Sequence, residues 1–360
     1  MKSAIFKQKK NMPSLLWRCL CWHLRYFCTK KPCPLSCGMY ITSACNLKCS
    51  FCNIWRKSNN RIIDFTQAKK MVDSLSELNC YYVSITGGEP LLVPHIFDLL
   101  AYAKKSRLKY VHMVTNGFLL DQEKARRLGK TGIDEVSISI DGSEQIHDTN
   151  RGVSGAYKRA VQAVTYLQEE APRIQIVLNT VFFPDNPHAC LHAVELAKKF
   201  NVSLKLQPVN QHPVFNKNNH SDIPARHTTA YNEQDIRKII KQLCNEDCVI
   251  NSPAFLKNML NFYFNKDALI FRNSECLFGY HHIEILEDGT VFPCLEGLDW
   301  INGTSCSGDL KKLISTDAYR RQLHNLKACT HCSRNYYICY YEPRIVFPAQ
   351  NLITYYNVSC

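Results

Sequence analysis

Met39-Tyr40-Ile41-Thr42-Ser43-Ala44-Cys45-Asn46-Leu47-Lys48-Cys49-Ser50-Phe51-Cys52 is the stretch that decides how this chain folds. Its opening run, Met39 to Thr42, has the length and apolar character of a short strand. A loop with cysteines spaced CxxxCxxC follows at once. In parallel α/β folds, the loop after a strand's C-terminal end is where chemistry is presented. A closed cubane of four irons and four sulfides takes one thiolate per iron. Cys45, Cys49 and Cys52 supply three, which leaves one iron open to a substrate or cofactor.

Outward from this loop, strand-like runs at 39–43, 81–86, 109–114, 134–140, 173–181 and 202–207 alternate with amphipathic stretches near 66–79, 94–106, 121–130, 155–169 and 187–200. That alternation predicts parallel βα units. Asp64 or Thr66 suits the N-cap of the first helix, Asp121 the third and Asn186 the fifth. Six strands joined by right-handed crossovers give an α/β fold, a partial (β/α)6 TIM-like barrel over residues 39–207 rather than a closed ring of eight. Polar motifs fall at the strand ends. Gly87 and Gly88 permit close backbone approach, and Glu89 can accept from an ammonium group. Asn116 follows the third strand, Ser139 and Asp141 end the fourth, and Arg151 lies in His147-Asp148-Thr149-Asn150-Arg151-Gly152. Asn-Gly and Asp-Gly at these places are also ordinary turn formers.

The CxxxCxxC triplet with an aromatic at Phe51 resembles the signature of the radical S-adenosylmethionine (SAM) enzymes. Thr86-Gly87-Gly88-Glu89-Pro90 resembles their methionine-binding motif. The resemblance implies that Cys45, Cys49 and Cys52 hold a 4Fe-4S cluster whose open iron chelates SAM. It further implies that one electron from the reduced cluster breaks SAM to a 5′-deoxyadenosyl radical, which abstracts hydrogen from a substrate. Gly87, Gly88, Glu89, Asn116, Ser139 and Asp141 would contact SAM, Arg151 its carboxylate and Phe51 its adenine. An electron donor of flavodoxin or ferredoxin type is implied as a partner.

Near the C-terminus, His282 to Glu287 alternates, turns at Asp288-Gly289 and returns as Thr290-Val291-Phe292, a strong hairpin signal. Cys276 precedes it, Cys294 ends it, and Cys329 and Cys332 form a CxxC. Together with a helix-like segment from Gly308 to Leu326, this resembles the auxiliary-cluster module called Twitch, the shortened SPASM domain. By that resemblance the four cysteines hold a second 4Fe-4S cluster, in a small α+β iron-sulfur module over 270–340. Four thiolates in two pairs equally suit structural zinc. Residues 208–269 read as a linker with helices at 232–244 and from Pro253 onward, and 341–360 as a C-terminal tail.

The whole chain has 360 residues, 46% of them hydrophobic, which fits one barrel-sized domain with a smaller module. Its 19 cysteines are an odd number with no cleavable secretory segment, so they read as metal ligands and buried thiols in a reducing cytoplasm. Cys80, Cys190, Cys306 and Cys360 are expected to be small buried hydrophobes. The net charge of +13 points to an anionic partner. No RNA-recognition signature or low-complexity basic tract accompanies it, which argues against nucleic acid. The basic segment 1–38 is amphipathic: over residues 14–28, Leu16, Leu20, Leu24 and Phe27 share a helical face with Trp17 beside them. Fifteen residues interrupted by arginines are too short to span a bilayer. They suit either a helix packed across the barrel end, the preferred reading, or peripheral contact at the membrane's inner face with Trp17 and Trp22 at headgroup depth.

These features predict hydrogen abstraction from a small-molecule, carbohydrate or lipid-type substrate, with oxidation through the auxiliary cluster. One alternative is a SPASM-type maturase acting on a ribosomal precursor peptide. It ranks second because the segment before the barrel is short for a leader-recognition domain. The other is a non-catalytic, zinc-dependent nucleic-acid-binding protein.

Overall fold

The computed structural model describes residues 12–29, 31–56, 60–210, 232–265, 276–294 and 303–327, with side chains of the first helix described from residue 20. The elements of the first half run α1 (Met12–Thr29), β1 (Ser36–Tyr40), α2 (Phe65–Glu77), β2 (Tyr82–Thr86), α3 (Ile96–Lys105), β3 (Tyr110–Thr115), α4 (Gln122–Thr131), β4 (Glu135–Ser139), α5 (Glu144–Arg151), α6 (Ala156–Glu170), β5 (Gln175–Phe182), α7 (Ala189–Phe200) and β6 (Ser203–Pro208). Then come α8 (Glu233–Cys244), α9 (Pro253–Phe264), the single turn α10 (Phe278–His281), β7 (His282–Ile285), β8 (Thr290–Phe292), β9 (Thr304–Ser305), α11 (Leu310–Ile314) and α12 (Asp317–Lys327).

Local chemistry sets the helix boundaries. Asp64 accepts from the Gln67 N–H to start α2, and Asp121 accepts from the Lys124 N–H to start α4. Along α2, Ala68, Met71, Val72 and Leu75 are buried on one stripe. The expected cap at Asn186 is displaced. A turn closes from Phe183 to Asn186, and α7 begins after His188 without a side-chain cap. The first strand also starts earlier than expected. Residues 36–39 pair with both neighbours and Tyr40 with β2 alone, while Thr42 bridges to Ile62 outside the sheet.

One nine-stranded sheet has the order β6-β5-β4-β3-β2-β1-β7-β8-β9. All neighbours from β6 through β7 are parallel, so the sheet is an open partial barrel. The predicted hairpin is present, turning at Gly289 with φ +79, and its strands β7 and β8 are antiparallel. It does not form a separate sheet: β7 lies parallel to β1 in the register Ser36↔His282 to Met39↔Ile285. The helix-like stretch from Gly308 is two helices, α11 and α12.

The two sheet faces differ sharply in chemistry. Cys37, Met39, Val83, Ile85, Val111, Met113, Val136, Ile138, Leu178 and Leu204 point outward into one continuous apolar core with the helices. On the inward face, Tyr82, Tyr110, His112, Glu135, Ser137 and Lys205 replace the branched apolar residues that usually fill a barrel. His112 Nδ1 meets Tyr82 Oη at 2.6 Å, and its Nε2 meets Ser137 Oγ at 2.9 Å. Tyr110 donates to Glu135 at 2.6 Å, and Lys205 Nζ lies 3.8 Å from the same carboxylate. Val177, an apolar residue on this face, packs with Ile250 apart from the main core.

The segment before β1 docks as the preferred reading expects. Trp22 and Tyr26 are buried, and Trp22 Nε1 donates to the Tyr280 carbonyl at 3.3 Å. Trp22 therefore belongs to the protein interior and not to headgroup depth. A buried indole N–H needs an acceptor, and the Tyr280 carbonyl supplies it.

Candidate active site

The cysteine loop is held from two sides by backbone pairing. On one side, Ile41 N–H donates to Thr86 at 2.9 Å, Gly88 N–H to Thr42 at 2.7 Å and Glu89 N–H to Ala44 at 2.8 Å. This explains both glycines. Gly87 has φ +131, and a Cβ on either residue would collide with the backbone of residues 42–44. On the other side, Lys48 N–H donates to Arg151 at 3.0 Å and Ser50 N–H to Asn150 at 2.9 Å, at the end of α5. Gly152, at φ +68, leaves room for the Lys48 carbonyl there. Gly88→Ala should thus displace the loop, cost at least about 2 kcal/mol in a denaturant melt and lower iron retention after reconstitution.

Cys45, Cys49 and Cys52 belong to one small apolar cluster with Leu47, Phe51, Phe118, Val153 and Ala156. Burial pushes the Cys45 thiol up to about 11 and the Cys52 thiol up to about 12. Burial also raises Cys49, while the Arg151 guanidinium, 3.9 Å from its sulfur, pulls the other way. Thiols this reluctant to ionise need a cationic metal to become thiolates. Among the described residues, no three His, Cys, Asp or Glu groups converge on a single ion. A cubane asks for something else, one thiolate at each of three corners, and three soft donors on one loop among apolar side chains fit it.

The remaining predicted residues surround this loop. Glu89 is fully buried: Oε1 accepts from Leu91 N–H at 3.1 Å and Thr115 Oγ1 at 2.7 Å, and Oε2 from Asn116 N–H at 2.8 Å. Its carboxylate thus ties the ends of β2 and β3 together, and burial raises its pKa. Asn116 Nδ2 donates to Asn46 Oδ1 at 2.9 Å, a direct link to the cysteine loop. The Asn46 Nδ2 is buried without a protein partner. Arg151 makes a two-pronged pair with Asp141, at 2.6 and 2.9 Å, so its fork is already engaged within the chain. The guanidinium also lies 5.2 Å over the Phe51 ring, which meets Phe183 edge-on at 5.6 Å. Ser139 is buried at the end of β4.

His147, not singled out as a ligand-binding residue, underpins this pair. Its Nδ1 accepts from the Asp141 N–H at 3.1 Å, and burial, followed by the Arg151 charge, lowers its pKa to about 4. Asp141 and Asp148 oppose that shift, and the Tyr157 ring packs 6.1 Å away. The neutral imidazole is thus the folded form. With an ordinary value of 6.5, it leaves the unfolded chain binding more protons between pH 6.5 and 4. Stability should be whole above that window and fall by about 3 kcal/mol as pH drops through it. Denaturant melts of the wild type and His147→Asn across the window check this, the variant giving the flatter curve.

Of the second cysteine set, Cys276 and Cys294 are buried, and Cys329 and Cys332 lie outside the described residues. Cys276 N–H donates to the Lys327 carbonyl at 3.2 Å, so the end of α12 meets the start of the hairpin segment. Cys80, Cys190 and Cys306 are buried as expected, and Cys360 lies outside the described residues.

The loop, its clamps and its position at the C-terminal ends of parallel strands agree with a comparison by sequence: the Radical SAM superfamily model matches residues 39–197. Residues 39–197 are a radical SAM domain. An AdoMet-dependent heme synthase of Nitratidesulfovibrio vulgaris is 32% identical over 165 residues, 45% of this chain and 44% of that protein. The mycofactocin maturase MftC of Mycobacterium tuberculosis is 34% identical over 136 residues, 37% of this chain and 34% of that protein. The chain thus covers less than half the length of either curated relative. Among solved structures, Streptococcus suis SuiB bound to precursor peptide SuiA aligns with TM-score 0.63 and 15% identity, over 89% of this chain and 73% of that one, a likeness of fold. The radical SAM domain implies a 4Fe-4S cluster and SAM, and Cys45, Cys49 and Cys52, the three soft donors of one loop, could hold the cluster.

What the motifs did not signal is the polar barrel interior beneath this domain's active end. Its sequence trace is the strict alternation in Tyr82-Val83-Ser84-Ile85-Thr86, Glu135-Val136-Ser137-Ile138-Ser139 and Ser203-Leu204-Lys205-Leu206-Gln207. Strands of a parallel sheet buried on both faces usually read as unbroken apolar runs.

Proposed function

We propose that the chain is a radical SAM enzyme that reductively cleaves SAM and abstracts hydrogen from a polar small-molecule or carbohydrate-type substrate, lipid-linked forms included. The observation that carries this is the small apolar cluster that gathers Cys45, Cys49 and Cys52 at the C-terminal end of the strands, on a loop locked to Gly88 and Glu89. When bound, the cluster supplies the electron that breaks the sulfonium bond of SAM. The chain's own residues do the rest. Gly87 and Gly88 keep the backbone close, Asn116 steers Asn46, and Asp141 fixes the Arg151 guanidinium beside Cys49. Phe51, Phe118 and Val153 keep water from the three thiols.

The polar inward face supports the substrate class. Half-buried Tyr40, Thr86, Asn179, Lys205 and Gln207 lie on the inward face toward the C-terminal ends of their strands, and they favour a ligand rich in hydrogen-bonding groups over an apolar one. Peptide maturation is the second reading, favoured by the 34% identity to a maturase. An auxiliary cluster on Cys276, Cys294, Cys329 and Cys332 is supported by the contact of Cys276 with Lys327, two residues before Cys329 in sequence. The +13 charge suits an acidic flavodoxin or ferredoxin-type donor.

Anaerobic reconstitution with iron and sulfide tests the reading. It should give brown protein with about eight irons per chain from two clusters and, with dithionite and SAM, 5′-deoxyadenosine. Colourless protein that retains zinc and leaves SAM intact would contradict it.

A further inference from the structure

Helix α1 has two apolar faces among its described side chains, and the described body of the protein packs on one. Trp22 and Tyr26 are buried against Tyr280 and His281, with ring centroids 5.1 Å apart for Tyr26 and Tyr280 and 5.8 Å apart for Trp22 and His281. Leu20, Leu24 and Phe27 are 51%, 58% and 65% exposed. They are spaced i, i+4 and i+7, so they form a stripe turned about 150° around the helix from the docked pair. The other large exposed apolar side chains among the described residues, Ile62 and Leu92, are less exposed and isolated. The stripe is therefore the one contiguous apolar surface of this kind among the described residues.

Charge says what covers it. Lys2, Lys7, Lys9, Lys10, Arg18, Arg25, Lys30 and Lys31 precede the first carboxylate of the chain, Asp64. A second copy would bring one strongly basic segment against another, at a Coulombic cost. A nucleic acid would meet the positive charge but leave the leucines and phenylalanine in water. An anionic bilayer surface satisfies both, with apolar side chains at the headgroup–acyl boundary and lysines over the headgroups. No described helix is long and apolar enough to cross a membrane, so the contact is interfacial.

We propose that α1 seats this protein on an anionic membrane surface through Leu20, Leu24 and Phe27. The docking partners Tyr280 and His281 lead into the N-terminal end of β7, whereas the cysteine loop lies at the opposite, C-terminal end of the strands. The active end consequently faces away from the lipid. This inference does not depend on the radical chemistry proposed above.

The test is flotation of the full-length chain with vesicles of phosphatidylcholine, with and without phosphatidylglycerol. The wild type should float with the anionic vesicles, less so at high salt. A Leu24→Glu/Phe27→Glu double variant should partition at least about tenfold more weakly, with unchanged circular dichroism and unchanged SAM cleavage in lipid-free buffer. Failure of the wild type to float, or equal flotation of the variant, would overturn the proposal. So would a wild-type dimer in sedimentation that the variant lacks, since the stripe would then join two copies.

Discussion

Replacement of Cys45, Cys49 and Cys52 by alanine is expected to reduce 5′-deoxyadenosine formation to background and to lower iron after reconstitution from about eight to about four per chain. No side chain packed around the three can substitute, since Leu47, Phe51, Phe118, Val153 and Ala156 offer no soft donor. The fold itself should survive. The loop is held by the backbone pairs of residues 41–44 and 48–50 with Thr86, Gly88, Glu89, Asn150 and Arg151, none of which uses a thiol. Removing the three thiols, one buried and two partly buried, strands no charge, because desolvation raises the pKa of Cys45 and Cys52 in the metal-free chain. Each single alanine variant should lose nearly as much activity as the triple one, as with residues that act as a unit. Iron and acid-labile sulfide assays beside product analysis check this. SAM cleavage persisting in the triple variant would place the cluster elsewhere.

Arg151→Ala should be the most damaging substitution for stability near the site, costing about 3–5 kcal/mol. Asp141 is fully buried, and the guanidinium provides its bidentate partner; among the described residues the carboxylate's other donor is the Val181 N–H at 3.1 Å. An ionised carboxylate stranded there is the expensive outcome. Arg151→Lys should be intermediate, since an ammonium cannot reproduce the two-pronged geometry. Arg151→Met combined with Asp141→Leu should recover much of the stability while SAM affinity stays low. Denaturant melts and SAM titration separate the two effects. Full SAM affinity in that double variant would show that the pair serves packing alone.

The parallel strands were legible because each carries a compact β-rich run bounded by turn residues. The caps at Asp64 and Asp121 were legible because a carboxylate stands three residues before the N–H it accepts from. The cysteine loop declared itself through spacing alone. By contrast, the place of β7 was hidden: the signal from Asp288-Gly289 is local, whereas pairing with β1 joins residues some 246 positions apart, as Ser36 and His282 show with their 2.7 Å contact. The engagement of Arg151 by Asp141 was equally hidden, since a motif names a residue without its partner. Docking of the first helix was expected, but that Trp22 and Tyr26 form the docked face was hidden, because periodicity groups Leu20, Leu24 and Phe27 without telling which side of a helix meets a neighbour.

Three thiolates on a four-iron cluster would leave one iron able to take SAM. Mössbauer spectra of the anaerobic, iron-57-reconstituted protein test it directly when recorded before and after SAM is added. One iron of the cluster on Cys45, Cys49 and Cys52 should change its isomer shift on SAM addition, and that response should vanish in the triple alanine variant. Spectra unaltered by saturating SAM would contradict the account.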